Sequence, residues 1–160
     1  SAGGSYFDPL STWVAGVETN VSVYDLISDN TPTNLTFEGH VIGAVVGSSN
    51  DVHSINMDAT NSVVLNFTLG SGTGTFSGDV NFTYNGSNQW NTGVSGVTYD
   101  QTGFNVDTFT GGHTDSANST MEGKYYGTDS IKSVGGSFKF QKDGTPTTNA
   151  FGSFKADNTN

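Results

Sequence analysis

The chain has 160 residues, of which 22 are Gly, none is Cys and only 12% are charged, with a formal net charge of −10. One domain of this length buries a sizeable core, and the lack of Cys excludes disulfides, thiolate zinc sites and a Cys nucleophile. Arg is absent and all five lysines (Lys124, Lys132, Lys139, Lys142, Lys155) lie in the last quarter. The acidic field of the remainder repels nucleic-acid phosphates and anionic headgroups, so neither nucleic acid nor membrane surface is an expected partner.

A single domain over 1–160 is expected, with "SAGGSYFDPL" (1–10) as an extended arm that carries no signal-peptide pattern. A strand follows near 12–17. "NVSVYDLIS" (20–28) spaces Val21, Tyr24, Leu26 and Ile27 between helical and strand periods, and reads as one short helix with Asn20 or Ser22 at its N-cap.

Beyond it the period is two. "LTFEGHVIGAVV" puts Leu35, Phe37, Gly39, Val41, Gly43 and Val45 on one side. "SVVLNFTL" does the same with Val63, Leu65, Phe67 and Leu69, and "GTFSGDVNFTY" (74–84) with Phe76, Gly78, Val80, Phe82 and Tyr84. Further strands are expected near 89–99, 103–110, 117–126, 135–141 and 149–156. Their spacing, with Gly, Asn and Asp between, predicts an antiparallel meander.

Glycine recurs two positions from a bulky residue: Phe37 with Gly39, Phe76 with Gly78, Tyr125 with Gly123, Phe138 with Gly136, Phe154 with Gly152. Small residues among large ones let strands coil and rings fill a narrow interior. The expected architecture is all-β, an eight-stranded antiparallel up-and-down barrel with a filled interior and the single helix over 20–28. An outer-membrane barrel is the competing architecture, because alternation does not say which face meets lipid. Glu38, Asp79, Glu122, Lys124 and Lys139 on the presumed outer face favour the soluble form.

Three segments carry a resemblance: Gly123-Lys124-Tyr125-Tyr126-Gly127, then Val134-Gly135-Gly136-Ser137-Phe138, then Ala150-Phe151-Gly152-Ser153-Phe154-Lys155-Ala156. They resemble the closing strands of the transferrin-binding protein B type β-barrel domain, found in bacterial surface lipoproteins. Trp13-Val14-Ala15-Gly16 and Phe37-Glu38-Gly39-His40-Val41-Ile42-Gly43 resemble the front of the same superfamily. Thr128 stands where that family usually has Pro. The resemblance implies a filled barrel at a bacterial cell surface, secreted or on the outer membrane, that takes part in ligand binding or protein–protein interaction. Its fold motif maps to Gly123, Tyr125, Tyr126, Gly127, Gly135, Gly136, Phe138, Gly152 and Phe154, and no ligand residue carries over. Lys139 and Lys155 are expected to point outward on neighbouring strands, where lysines discourage strand-to-strand aggregation.

Catalytic signatures are missing. There is no G-x-S-x-G elbow, H-E-x-x-H helix, phosphate-cradling loop or dinucleotide fingerprint, so no enzyme and no catalytic residue is expected. His113 with Asp115, and His53 with Asp51 and Asp58, read as solvated loop groups more than as metal ligands. No metal site and no resident cofactor are assigned, and His113 is the residue chosen for haem, should haem bind. "YDQTGFNVDTF" contains Asp100 and Asp107 without EF-hand spacing. Ile42, Val46, Val64, Tyr126 and Phe151 interrupt polar faces and read either as covered core or as a protein contact. The expected function is a non-catalytic, extracellular or surface-displayed bacterial binding module for a protein or iron-source ligand. The alternative is a structural subunit that self-assembles into a filament, layer or adhesin stalk.

Overall fold

A computed structural model describes residues 31–70, 73–98, 103–128 and 130–160 of the chain. The expected strand near 12–17 and helix over 20–28 lie outside the described residues. Ten strands follow one another: β1 (Thr33–Val46), β2 (Val52–Ser54), β3 (Ser62–Gly70), β4 (Thr73–Tyr84), β5 (Asn88–Thr98), β6 (Gly103–Asn105), β7 (Thr108–Thr110), β8 (Thr120–Tyr126), β9 (Ser133–Lys142) and β10 (Thr145–Asn158). Helix is limited, among the described residues, to a 3-10 turn over Ser116–Asn118. None is long and apolar enough to cross a membrane.

The strands form one antiparallel sheet in the order β6-β8-β9-β10-β1-β3-β4-β5-β7, with β2 also paired to β1. The sheet curls into a half-barrel, and its strands meet with Phe37 opposite Asn158 and Val41 opposite Phe154. Eight strands were expected in the barrel and ten are named among the described residues, for two local reasons. The stretch 103–110 is split, because Gly103–Asn105 pairs with β8 whereas Thr108–Thr110 pairs with β5. The connection from β1 to β3 also contains the short β2, with Val45 opposite His53. The strand expected at 117–126 begins at Thr120, because Asp115 accepts from the Ala117 N–H and caps the 3-10 turn before it.

The alternation read from the sequence holds over most of β1, β3 and β4 and breaks at Ala44 and Thr83, which are buried as well. Phe37, Val41, Val63, Leu65, Phe67, Leu69, Val80 and Phe82 are almost wholly buried, whereas Glu38, Asn66, Thr68, Thr75 and Ser77 between them are exposed. The concave face is filled by rings in two groups. Phe67 stacks on Phe76 at 5.1 Å and meets Phe37, Phe104 and Tyr125 edge-on. Towards the other end, Phe82 stacks on Trp90 at 5.7 Å, and Phe140 lies against Trp90, Phe109 and Phe138. Such pairs add about 0.5–1.5 kcal/mol each beyond area burial. The buried polar tips are satisfied: Trp90 Nε1 donates to Thr114 Oγ1 at 2.9 Å, and the Tyr125 hydroxyl to Thr98 Oγ1 at 3.0 Å.

The C-terminal glycine motif sits where strands approach closely. Gly123 of β8 faces Gly136 of β9. A Cβ on Gly136 would lie 1.9 Å from the Glu122 carbonyl oxygen, so only glycine leaves this ladder undistorted. Tyr125, Phe138 and Phe154 are buried and Gly152 packs against the Phe138 ring, while Tyr126 and Gly127 are half-buried. Gly135 is buried opposite Lys155. Lys139 and Lys155 are exposed on the adjacent β9 and β10. In the β4–β5 turn, Asn85 and Gly86 both adopt positive φ (44° and 83°), which the short polar side chain and glycine tolerate.

Asn61 is the least obvious structural residue. The β1–β3 ladder ends at Gly39 opposite Val63, and its continuation would set Val41 opposite residue 61. There the Asn61 side chain replaces the backbone: Oδ1 accepts from the Val41 N–H and Nδ2 donates to the Val41 carbonyl, both at 2.9 Å. Nδ2 also donates to the Asn56 carbonyl, so one amide ties the 56–61 loop to the sheet.

Candidate functional site

The sheet register collects neutral hydroxyl and amide side chains into a row on the convex face. Thr36 of β1 lies opposite Asn66 of β3, Asn66 opposite Ser77 of β4, Ser77 opposite Ser95 of β5, and Ser95 opposite Thr108 of β7. A second row runs beside it, with Asn34 opposite Thr68, Thr68 opposite Thr75, and Thr75 opposite Val97. Neighbouring strands stand about 4.8 Å apart and alternate residues along a strand about 6.8 Å apart, so the two rows form a grid of polar groups. An open groove of about 500 Å³ occupies this grid, lined by Asn66, Thr68, Thr75, Ser77, Ser95, Val97, Asp107 and Thr108, and it reaches the paired Phe76 and Gly96.

The groove lies beside the place where the strand ladder changes partner. Asp107 N–H still donates to the Ser95 carbonyl, but beyond it Val97 N–H donates to the Asp107 side chain (Oδ2, 3.0 Å) instead of to a strand. Thr98 Oγ1 likewise donates to the Gly103 carbonyl at 3.1 Å. Side chains thus bridge β5 to the 103–107 segment where backbone bonds stop. Asp107 is held by one carboxylate oxygen, and Oδ1 has no partner among the described residues.

Two further bonds fix what the grid offers. Thr36 Oγ1 donates to Asn66 Oδ1 and Thr68 Oγ1 donates to Asn34 Oδ1, each at 3.0 Å. The Asn66 amide oxygen is therefore engaged and its NH2 faces outward chemistry as a donor, while Thr68 oxygen retains acceptor capacity. Ser77, Ser95 and Thr108 act in either sense. No lysine and no histidine lines the groove, and the next row supplies carboxylates at Glu38 and Asp79, both flanking Val64.

The residues singled out from sequence are dispersed. His113 Nδ1 accepts from the Asn91 N–H at 2.9 Å and its carbonyl accepts from Asp143 N–H, so the ring is committed to bracing β5. Asp115 caps the 3-10 turn instead of pairing with His113. Bonds from the Asn118 side chain and the Ala117 N–H hold its carboxyl below the ordinary aspartate value. His53 is half-buried on β2. Asp58 accepts from both the Thr60 hydroxyl and N–H at Oδ1 and from the buried Thr83 hydroxyl at Oδ2, and these bonds, Thr60's first, lower its pKa. No group of three or more His, Asp or Glu suited to a metal ion occurs among the described residues. Of the apolar convex-face residues, Ile42 is 49% exposed, while Val46, Val64, Tyr126 and Phe151 are half-buried, Phe151 lying 5.8 Å beneath the Lys139 ammonium.

Sequence reasoning missed Asn66, Ser77, Ser95 and Thr108. Each is an ordinary outward strand residue, and only the register sets them side by side. Asp107 was noticed for its carboxylate but not for this setting. No family model, no curated protein and no solved structure matches the chain.

Proposed function

We propose that this chain is a non-catalytic binding module, extracellular or displayed on a bacterial surface, that recognises its ligand from the convex side of a filled β-barrel closed through residues 103–110. The carrying observation is the division of labour between the two faces. Rings and aliphatics fill the concave side, while a groove lies outside, on a grid of hydroxyl and amide groups. Pockets that bind ligands commonly have volumes of about 300–1,000 Å³, and this one falls in that range. The groove lining offers hydrogen bonding but pairs no nucleophile with a base, which favours binding over turnover. The barrel and surface setting rest on the resemblance of the closing strands to the transferrin-binding protein B type, and the tight Gly123–Gly136 and Gly152 packing supports the curled sheet alone.

A second reading, self-assembly into a filament or layer, draws on Ile42 and Val52, which are 49% and 50% exposed. Immobilised chain tested against host serum, haem and soluble extracellular extracts separates the two. Saturable capture by a monomer supports the module. Polymers by sizing chromatography and electron microscopy, with no capture, overturn it in favour of assembly.

A further inference from the structure

We infer that the groove on β3, β4, β5 and β7 takes a neutral carbohydrate, an uncharged run of sugar rings presenting several adjacent hydroxyls. The inference rests on the binding-module reading and names the ligand class for it.

Three observations carry it. First, the polar complement is mixed in sign and uncharged but for one group: Asn66 offers an amide donor, Thr68 an acceptor, Ser77, Ser95 and Thr108 both. Adjacent sugar hydroxyls, each donor and acceptor at once, satisfy such an array, whereas an apolar ligand would strip it of water without return. Second, Asp107 stands in the groove with Oδ2 fixed by the Val97 N–H and Oδ1 unpartnered among the described residues. A clamped carboxylate is a strong acceptor for a hydroxyl. Third, charge selects against the alternatives. Glu38 and Asp79 edge the grid, no lysine lines it, and the chain carries a formal net charge of −10. Phosphates, sulfates and sialylated glycans are repelled there. The groove is shallow and its groups are small, so the expected affinity is modest, with a dissociation constant of about 0.1–1 mM.

The test uses the full chain, isotopically labelled, titrated with the neutral trisaccharides maltotriose, cellotriose and mannotriose and with a sialylated trisaccharide. At least one neutral sugar is expected to shift the backbone amides of Ser77, Ser95 and Thr108 saturably. Asn66→Ala and Ser77→Val, both at exposed positions, are expected each to weaken that binding about tenfold while the thermal midpoint holds. Four outcomes overturn the inference: no neutral sugar moves these amides at about 10 mM, ten times the weakest affinity expected; the sialylated sugar binds more tightly; the shifts map away from the groove; or the two variants alter only the oligomeric state, which makes a second copy the occupant. The same variants in the capture experiment tell the two failures apart. Capture lost in the variants with no sugar bound sinks the carbohydrate and leaves the module standing, whereas no capture and no sugar sinks both.

Discussion

Replacing Asn61 by Ala removes the amide that stands in for a strand at Val41. Val41 is wholly buried, and its N–H and C=O would both lose their partners. Each orphaned backbone group costs about 1–3 kcal/mol, so the pair predicts a loss of about 2–6 kcal/mol, water entry setting the lower end. A domain of this size loses about 2–4 °C of midpoint per kcal/mol. For a loss of about 4 kcal/mol in the middle of that range, the midpoint falls by about 8–16 °C. Urea unfolding followed by far-UV circular dichroism reads the free energy, with an unchanged slope expected because the exposed surface barely differs. Asn61→Asp sharpens the test. The carboxylate still accepts from Val41 N–H but offers its carbonyl only another acceptor, so the variant should be at least as unstable as the Ala form at neutral pH. A loss below about 0.5 kcal/mol for Asn61→Ala, typical of an unremarkable surface substitution, refutes the account.

Gly136→Ala drives a methyl to within 1.9 Å of the Glu122 carbonyl oxygen, and a loss of about 3 kcal/mol or failure to accumulate as folded protein is expected. Gly47→Ala, with nothing within 4 Å, is the control, and equal thermal midpoints for the two would dismiss the close-approach argument. Thr114→Val keeps the shape but leaves the buried Trp90 Nε1–H without its acceptor, for an expected loss of about 1–3 kcal/mol in urea melts. Because the folded pKa of Asp58 is lowered, its stabilisation is complete above the unfolded value of 3.8 and fades as pH falls through the folded value. Thermal midpoints of Asp58→Asn should therefore decline less steeply below about pH 4 than those of the parent, and parallel profiles would reject the role given to Thr60 and Thr83.

The sequence spoke clearly wherever burial alternates. Phe76, Val80 and Phe82 against Thr75, Ser77 and Asp79 place β4 and its faces without ambiguity, since a slip of one residue would invert every side chain. The glycine spacing around Phe138 and Phe154 likewise pointed to tight strand contact. What stayed hidden depends on which strands become neighbours. Residues 103–110 read as one strand, because nothing in "GFNVDTFT" says that its two halves pair with β8 and β5 respectively. Asn61 looks like any loop residue until Val41 lies beside it. The groove was invisible for the same reason: Ser77 and Ser95 are 18 positions apart in the chain and become adjacent only through the β4–β5 register.

The pairing of β1 with β10 brings Phe37 beside Asn158, nearly the full described span apart. That seam therefore zips only after β10 has been synthesised. Until then β1 lacks, among the described strands, its β10 neighbour, and Val41 and Val45 wait for Phe154 and Ala150. Such late joining slows maturation and leaves nascent molecules open to chance annealing with one another. A cell making this protein in quantity therefore gains from any holding factor that shields β1 until β10 arrives.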